Sequence, residues 1–419
     1  MQFENRASIL GIALTLGIHS WSACAFELDS NFGVDGKIQL LPSTSWGLVP
    51  DAPVSAPDGS IFLAGTYNDA DDHNHVGVWK FGGDGRVSTD FQIDPALYGV
   101  VGVGVYGGSA SLGFTRDNKI MLAFNGPRFQ NSEGGTVNVC QLNSETGRLV
   151  GRFATSGCTG LFRVYNKVVF GSQSSGAAII AYSKPGGWEL EVTRVSPEGG
   201  VDQNFLRTSF GGDISWNSQS LAVDSHDRVY ICGYYVAGEK IVDAVLRLTA
   251  NGDIDQSFGT AGLIQFPSYG IFSSEGLTSF RVAADDSLVA TGVYKGENRD
   301  TLYRTFRLNQ DGLPILTYGV NGVADVDFGA PMTVSFRSGD AVLLRDGRVI
   351  YTTYGPYEDG TIWASLDTLG HIDSTIVAGG HMRTPLLDTD TLSVSADGNI
   401  LAVQTDLAGA PFLCRYRLQ

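Results

Sequence analysis

Short apolar runs that alternate with turn residues dominate the chain from residue 26 onward. One such run is Val229 to Tyr235, which is rich in β-branched and aromatic residues and follows the turn dipeptide Asp227-Arg228. Equivalent runs are Ile61 to Tyr67, Ile120 to Phe124, Val168 to Phe170, Leu288 to Tyr294, Val349 to Tyr354 and Ile400 to Gln404. These runs predict short buried strands, and because no segment keeps a 3.6-residue apolar period we expect almost no helix.

The turns that precede these runs set a regular spacing. They are Asp58-Gly59, Asp117-Asn118, Asn166-Lys167, Asp227-Arg228, Asp286-Ser287, Asp346-Gly347 and Asp397-Gly398. Successive turns lie about 50 to 60 residues apart, which is enough for four short strands in each unit. We name these strands A to D, with a tight turn between A and B, a variable loop between B and C, and a second turn between C and D.

A longer signature repeats with the same period. It is clearest in LTANGDIDQSFGTAGLIQF (248 to 266), and weaker copies are FELDSNFGVDGKIQL (26 to 40), VSPEGGVDQNFLRTSFGG (195 to 212) and FRLNQDGLPILTYGVNGVADVDF (306 to 328). Repeats of this length are typical of propellers and solenoids. The last unit ends with a third strand, PFLCRYRLQ (411 to 419), and the copy at 26 to 40 carries the missing fourth. A blade shared by both termini closes a ring, so we predict an all-β, seven-bladed β-propeller, with six or eight blades as the counting error.

The pattern of acidic turn, aromatic-Gly pair, two residues and Gly is shared by Asp255 to Gly262 and Asp29 to Gly36. It resembles the delta-60 repeat family of predicted bacterial β-propellers. The resemblance implies a propeller fold and export. It implies no shared activity and no catalytic motif.

The composition and net charge limit the classes of partner that are expected. The chain has 419 residues with 54 Gly, about twice the usual share of ~7 %, which suits many tight turns. Its formal charge of −16, with Lys and Arg scattered, argues against a nucleic acid or an anionic lipid surface as partner. We expect one propeller domain over residues 26–419, and a monomer.

The first 25 residues have the layout of a secretory signal peptide. Arg6 precedes the apolar run Ile9 to Ile18, and Ala23-Cys24-Ala25 forms a small-x-small cleavage site. We predict cleavage after Ala25 and a secreted or periplasmic protein. A lipoprotein anchored at Cys24 is the alternative, which Trp21 disfavours because that position is usually a branched aliphatic residue. No segment is long and apolar enough to predict a transmembrane helix.

Export would place Cys140, Cys158, Cys232 and Cys414 in an oxidising compartment. Nearness in sequence favours a Cys140–Cys158 disulfide. However, a hairpin turning at residues 144–147 would leave Cys158 about seven residues beyond the position opposite Cys140, out of reach at ~3.3 Å per strand residue unless the chain doubles back. Buried free thiols are the alternative.

The B–C and D–A connections share one face of a propeller, and the irregular loops gather there. Length varies most at 68–75, 125–135, 173–189, 235–242, 295–301 and 355–361. Variable loops on a rigid scaffold commonly carry binding residues. The loop NDADDHNH contains five candidate metal ligands, namely Asp69, Asp71, Asp72, His73 and His75. Oxygen ligands would favour calcium and the imidazoles zinc, and a solvated polar loop is the alternative.

Aromatic residues could form platforms for sugars or peptides near the channel mouth. The candidates are Trp46 and Trp216, both expected in D–A connections, with Tyr67, Tyr235, Phe272 and Tyr357; packing between blades is the alternative. His381, with Glu275 and Arg299, is the best acid–base candidate, since the sequence contains no triad or nucleophile elbow. We therefore expect an exported, non-catalytic scaffold that binds a ligand, a glycan or a protein partner through this face. The alternative is an extracellular lyase or hydrolase acting on a polysaccharide or peptide in the central pocket.

Overall fold

The computed structural model describes residues 26–41, 45–71, 73–97, 110–125, 135–154, 156–164, 168–183, 190–202, 205, 216–267, 269–270, 276–295, 300–331, 340–354, 361–377, 381–384, 387–406 and 408–418. In these ranges the protein consists of antiparallel strands, with a single 3-10 turn at Pro95–Leu97. The prediction of an all-β chain with almost no helix is confirmed. No helix in the described ranges is long and apolar enough to cross a bilayer.

Thirty strands in this part of the chain form seven sheets, which are the blades of a propeller. The first two strands of the described chain are β1 (Phe26–Leu28) and β2 (Lys37–Gln39). Blade 1 contains β3 (Trp46–Pro50), β4 (Val54–Ser55), β5 (Ile61–Asn68) and β6 (Asn74–Phe81); blade 2 contains β7 (Ala110–Phe114), β8 (Ile120–Asn125), β9 (Gly135–Leu142) and β10 (Cys158–Val164); blade 3 contains β11 (Val169–Ser172), β12 (Ala178–Ser183), β13 (Leu190–Val195) and β14 (Val201–Asp202).

The remaining four blades follow in chain order. Blade 4 contains β15 (Trp216–Val223), β16 (Val229–Ala237), β17 (Lys240–Leu248), β18 (Leu263–Gln265) and β19 (Tyr269–Gly270); blade 5 contains β20 (Gly276–Val282), β21 (Leu288–Lys295), β22 (Asp300–Leu308) and β23 (Val323–Pro331). Blade 6 contains β24 (Ala341–Leu343), β25 (Val349–Tyr354), β26 (Thr361–Leu366) and β27 (His381–Thr384); blade 7 contains β28 (Leu387–Val394), β29 (Ile400–Asp406) and β30 (Pro411–Leu418), completed by β1 and β2.

The blades form a closed ring. From blade 2 to blade 7 the inner strand of each blade contacts that of the next, β28 of blade 7 contacts β4 of blade 1, and β5 of blade 1 contacts β7 of blade 2. The hydrophobic core is accordingly divided into seven clusters, one at each junction between neighbouring blades. Each blade therefore buries both of its faces, which explains why the strands appear in the sequence as continuous apolar runs; all six residues of β26 are buried.

The two chain ends complete one blade, as the sequence predicts. In β1, Phe26 pairs with Leu418 of β30, and in β2, Lys37 pairs with Cys414 of the same strand. The outer edge of β30 is thereby paired by the N-terminal segment. This arrangement gives the ring its closure and removes an edge that could template association with another chain.

The predicted turn of blade 3 is wrong. The A–B turn of this blade runs from Gln173 to Ala177, with Gly176 in the left-handed region at φ 83°. The run that starts at Val169 is thus the first strand of the blade, and residues 165–167, which contain the proposed turn, lie outside the described part. Serine at 174 and 175 made the turn hard to recognise, because the A–B turn of every other blade contains an Asp at its third or fourth position.

The repeated signature has a structural role, which is clearest in blade 4. Arg247, on the third strand, is 1 % exposed. Its Nε lies 2.9 Å from Oδ2 of Asp255, and its guanidinium carbon lies 4.4 Å from the ring centre of Phe258. The acidic residue and the aromatic of the signature therefore enclose a buried arginine between an ion pair and a cation–π contact. We call this set of three residues the clasp.

Two further blades contain a clasp with the same geometry. In blade 7, Arg415 donates to Asp29 (Nε to Oδ2, 2.9 Å) and lies 4.6 Å from the ring centre of Phe32. In blade 3 the corresponding residues are Arg194, Asp202 and Phe205, with an Nε to Oδ2 distance of 3.0 Å and a ring distance of 4.7 Å. The signature residues therefore hold the third strand to the segment that follows it.

The clasp also connects each blade to the next. Arg194 donates to the carbonyl of Ala250 in the C–D turn of blade 4 (3.2 Å), and Arg247 reaches the carbonyl of Gln310 in blade 5. The Gly259 N–H, which follows the clasp aromatic, donates to the Asp311 carbonyl of blade 5 (3.1 Å). Gly259 has φ 52°, so the aromatic-Gly pair is explained by a left-handed turn at a blade junction.

The clasp predicts a loss of stability in acid. Burial alone would raise the pKa of Asp255, but hydrogen bonds from Ser257 and the charge of Arg247 outweigh it and hold the pKa below the ordinary 3.8. Because the folded-state pKa is the lower one, the stabilisation is complete above pH 3.8 and is lost as the pH falls through the folded pKa. We expect Asp255→Asn to reduce the free energy of unfolding at neutral pH and to make its decline in acid shallower. Denaturant titrations at a series of pH values measure both effects. The exposed Asp253→Asn is the control, and parallel pH curves for Asp255→Asn and the wild type would contradict the prediction.

Cys140 and Cys158 form a disulfide, so the hairpin argument against this pair is wrong. The two residues are direct cross-strand partners on β9 and β10. The chain doubles back between them: the Val150 N–H donates to the Gln141 carbonyl, and the Gln141 N–H donates to the Gly157 carbonyl, so Val150 and Gly157 both lie beside Gln141. Cys232 and Cys414 are buried free thiols, and burial raises the pKa of each to about 12.

Candidate functional site

The inner strands of all seven blades surround a central channel. Its cavity has a volume of about 590 Å3 and is lined by residues from every blade. This is within the range of about 300 to 1,000 Å3 that is usual for small-molecule sites. Three other pockets among the described residues are smaller, with volumes of about 440, 410 and 300 Å3.

The channel wall has a polar level and an apolar level. The residue three positions before the end of the inner strand is polar in five blades, and in four of them it lines the channel: Ser111, Ser220, Asp340 and Thr391. The fifth, Ser279 of blade 5, is not part of the lining. Nearer the A–B turns the wall is aliphatic, with Val54, Val223, Val282, Leu343 and Val394. A ligand in the channel would therefore meet hydrogen-bonding groups at one level and apolar groups at the level below.

Bulges in the inner strands add polar side chains to the wall. The register of β15 shifts between Ser218 and Ser220, and that of β20 shifts between Leu277 and Ser279. The extra residues, Gln219 and Thr278, both line the channel. A bulge bends its strand and redirects the inserted side chain, which accounts for this placement.

The channel contains one ion pair that links three blades. Nη2 of Arg281 in blade 5 donates to both oxygens of Asp340, at 2.9 and 3.1 Å. Asp340 also accepts the N–H of Ala341 in its own blade (2.7 Å) and that of Leu392 in blade 7 (3.0 Å). The Asp340 carboxylate thus accepts four hydrogen bonds from three donor groups. Its geometry suits a structural bridge and a fixed dipole in the wall better than a proton acceptor.

Asp51 supplies the other acidic group of the channel wall. Its carbonyl accepts the Thr391 hydroxyl at 3.3 Å, and its backbone N–H donates to the Ala64 carbonyl at 2.9 Å. Among the described residues, nothing donates a hydrogen bond to its carboxylate. This carboxylate and the amide of Gln219 are therefore the channel groups most available to a ligand.

Sequence reasoning missed Arg281 and Asp340. The sequence does contain a signal for these two residues. Arg281 stands where other blades have Ala222, Val342 and Ser393, and Asp340 stands where others have a hydroxyl residue. When the inner strands are aligned by their register, Arg281 and Asp340 stand out as charged residues at positions that are uncharged in the other blades. This alignment starts from the position of each A–B turn, and the turn of blade 3 was predicted wrongly.

The loop NDADDHNH brings three of its candidate ligands together. Oδ2 of Asp69 lies 2.8 Å from Nε2 of His75 and 3.4 Å from Nδ1 of His73. The hydrogen bond with His75, followed by the backbone N–H of His73, holds the pKa of Asp69 well below its usual range. Asp71 is exposed and only its N–H contacts Asp69, while Asp72 lies outside the described residues. Calcium or zinc binding here stays a prediction.

A tighter group of ligand-type residues lies on the opposite face, in the A–B turns. Asp224, His226 and Asp286 have ligand atoms within 4.8 Å of one another, the one such group in the described chain. Arg228 already supplies a positive charge there, with Nε 2.5 Å from Oδ2 of Asp224. Ser225 completes the composition of a catalytic triad, but Ser225 Oγ and Asp286 Oδ2 both approach the same imidazole nitrogen, at 3.1 and 2.8 Å. A relay needs two different ring nitrogens, so this arrangement is not a triad.

The aromatic candidates are separated. Trp216 is the first residue of β15, not part of a connection, and it is fully buried with Tyr235 in the core between blades 3 and 4. Tyr67 is half-buried, 6.0 Å from Trp79 between ring centres, in a separate pocket of about 300 Å3. Trp46 begins β3 and His381 begins β27, and the side chains of both lie outside the described part. Phe272, Glu275, Arg299 and Tyr357 also lie outside it.

Comparison with known proteins supports the fold. A family model described as a β-propeller domain of unknown function (DUF5122) matches residues 227–258, which span the second and third strands of blade 4 and its clasp. The search of curated proteins found no match.

Among solved structures, the polysaccharide lyase Uly1 is 11 % identical and has a TM-score of 0.51, with 88 % of this chain and 90 % of that one covered. A PL25 ulvan lyase is 10 % identical with a TM-score of 0.50, covering 90 % of this chain and 96 % of the lyase. At such identity the likeness shows the fold alone. The protein is a seven-bladed β-propeller.

Proposed function

We propose that this protein is an exported, non-catalytic β-propeller of the delta-60 repeat type that binds a polar ligand, such as a glycan or an exposed segment of a partner protein. The ligand would enter from the B–C and D–A face and reach the polar level of the central channel. Cleavage after Ala25 would leave residues 26–419 in the periplasm or the medium. The Cys140–Cys158 disulfide agrees with an oxidising compartment.

The observation that carries this proposal is the chemistry of the channel wall. Hydroxyl and amide groups at one level offer donors and acceptors to a polyhydroxylated or peptide ligand, and the free carboxylate of Asp51 favours a neutral or cationic one. Asp340, the other carboxylate, already accepts four hydrogen bonds. The enzymatic alternative depends on His381, Glu275 and Arg299, whose side chains lie outside the described residues.

Thermal unfolding tests the proposal. The protein is recovered from the periplasm, where intact mass tests cleavage after Ala25, and is melted with panels of neutral and basic oligosaccharides and peptides. A ligand that binds only the folded state raises the melting temperature by mass action, with about 2.7 kcal/mol of stabilisation at one hundred times Kd. We expect Asp51→Asn and Gln219→Ala to reduce the shift, and Asp35→Asn, which removes the same charge from an exposed turn, to leave it unchanged. A shift that all three variants retain would place binding elsewhere.

A further inference from the structure

A second cavity lies between blades 2 and 3, where the clasp is replaced. In blade 2, Gln141 and Val150 hold the backbone positions that Arg247 and Asp255 hold in blade 4: the Val150 N–H donates to the Gln141 carbonyl as the Asp255 N–H donates to the Arg247 carbonyl. The Gln141 amide still reaches blade 3, donating to the Pro197 carbonyl at 3.0 Å. The ion pair of the clasp is absent from this junction, and a pocket of about 440 Å3 is present. We call it the blade 2–3 pocket.

The rim of this pocket is unusually basic for this chain. Arg116, Lys119 and Arg152 line it, together with Asp117 and Glu198. Lys119 pairs with Asp117 at 2.6 Å, and the Thr115 hydroxyl also donates to Asp117. The hydrogen bond from Lys119, followed by that from Thr115, holds the pKa of Asp117 below its usual range. The Asp117 carboxylate is therefore ionised and already paired, and Lys119 neutralises its charge.

Two guanidinium groups remain available to a ligand. Arg116 and Arg152 are exposed, and within the described chain neither has a carboxylate partner. Glu198 is the remaining carboxylate residue of the lining. Its backbone carbonyl accepts a hydrogen bond from the Ala154 N–H at 2.8 Å. The two arginines outnumber Glu198 in a protein whose net charge is −16. Guanidinium groups bind carboxylate and sulfate through paired N–H donors, which a lysine cannot imitate.

We propose that the blade 2–3 pocket binds a small organic anion, a carboxylated or sulfated monosaccharide unit, with the anionic group held by Arg116 and Arg152. Val150, Phe153 and the Gln141 amide form the inner lining, so the pocket offers apolar contact and one amide behind the charged rim. The site is separate from the channel and uses the opposite face. It stands or fails independently of the function proposed for the channel.

Calorimetric titration of the full protein tests the proposal, with glucuronate, a sulfated monosaccharide, glucose and inorganic sulfate as probes. We expect the two sugar anions to bind and glucose not to bind. Arg116→Gln combined with Arg152→Gln should weaken binding at least tenfold, and added salt should weaken it in the wild type. Arg86→Gln, on the exposed C–D turn of blade 1, is the matched control and should change nothing. Asp51→Asn, in the channel, should also leave this binding intact.

The other outcomes are decisive as well. Inorganic sulfate that binds as tightly as the sugar anions would identify a free anion as the ligand and overturn the saccharide part of the proposal. Absence of binding by all anions overturns it entirely, as does binding that the double arginine variant retains. Since both arginines are exposed, circular dichroism of the double variant should match the wild type, and this confirms that a lost signal reports the site.

Discussion

Replacing Asp29 by Ala is expected to destabilise the protein by about 3 to 5 kcal/mol, because it removes one partner of a buried ion pair. Asp29 is 5 % and Arg415 10 % exposed in their side chains, and Arg417 also donates to Asp29. Without the carboxylate, the buried guanidinium of Arg415 keeps the Gly83 carbonyl of blade 1 as an acceptor and a long contact of 3.8 Å with the half-exposed carboxylate of Asp397. The loss falls on the blade that closes the ring.

Denaturant unfolding at neutral pH measures this loss, and Glu27→Ala is the matched control because Glu27 is an exposed acidic residue on β1, the strand directly before Asp29. Hydrogen exchange should show β1 opening more often in Asp29→Ala than in the control. A double variant, Asp29→Leu with Arg415→Met, should recover part of the stability, since apolar residues of similar volume often replace a buried ion pair at little cost. Equal stability of Asp29→Ala and Glu27→Ala would show that the clasp does not secure the closure.

Removing the Cys140–Cys158 disulfide is expected to cost about 3 kcal/mol, the chain-entropy estimate for a loop of this size. The two cysteines are 18 residues apart, and the loop they close contains the whole excursion from the sheet between β9 and β10. Both residues also pack in or against the core between blades 1 and 2. The effect should therefore be local to blade 2 and its junctions.

The contribution of the disulfide is measured by comparing the unfolding of the wild type and of a double cysteine variant with and without reductant. The wild type should lose stability in dithiothreitol, whereas Cys140→Ala with Cys158→Ala should be less stable from the start and insensitive to it. Thiol counting in the unfolded, unreduced protein should find Cys232 and Cys414 free after export. An unfolding midpoint that reductant does not change, or Cys140 and Cys158 found reduced, contradicts the prediction.

The blade count and the closure were predictable because they depend on local chemistry. Turn residues such as Asp397-Gly398 and apolar runs such as Ile400 to Gln404 mark a strand pair whatever surrounds them. The copies of the signature at both ends reveal which strand is missing. The prediction was wrong in blade 3, where Ser175-Gly176 serves as the turn without an acidic residue, and a neighbouring Asn-Lys pair was chosen instead.

The candidate site was less predictable because its residues come from different blades. Of the candidate loops, 125–135, 295–301 and 355–361 lie largely outside the described residues, and Trp216 and Tyr235 pack in a blade junction. The ion pair of Arg281 with Asp340 joins residues 59 positions apart. No pattern within one repeat indicates such a pair. It is visible only when the exceptions in two neighbouring repeats are compared.

The sequence by itself determined the strand content, the approximate length of each unit and the sharing of one blade by the two termini, because periodicity and turn chemistry act within a few residues. The tertiary structure decided which side chains line the channel, which cysteines pair and which blade each clasp reaches. These outcomes depend on strand bulges, on the excursion after each third strand and on the rotation from one blade to the next. Such features bring together residues that are far apart in the chain.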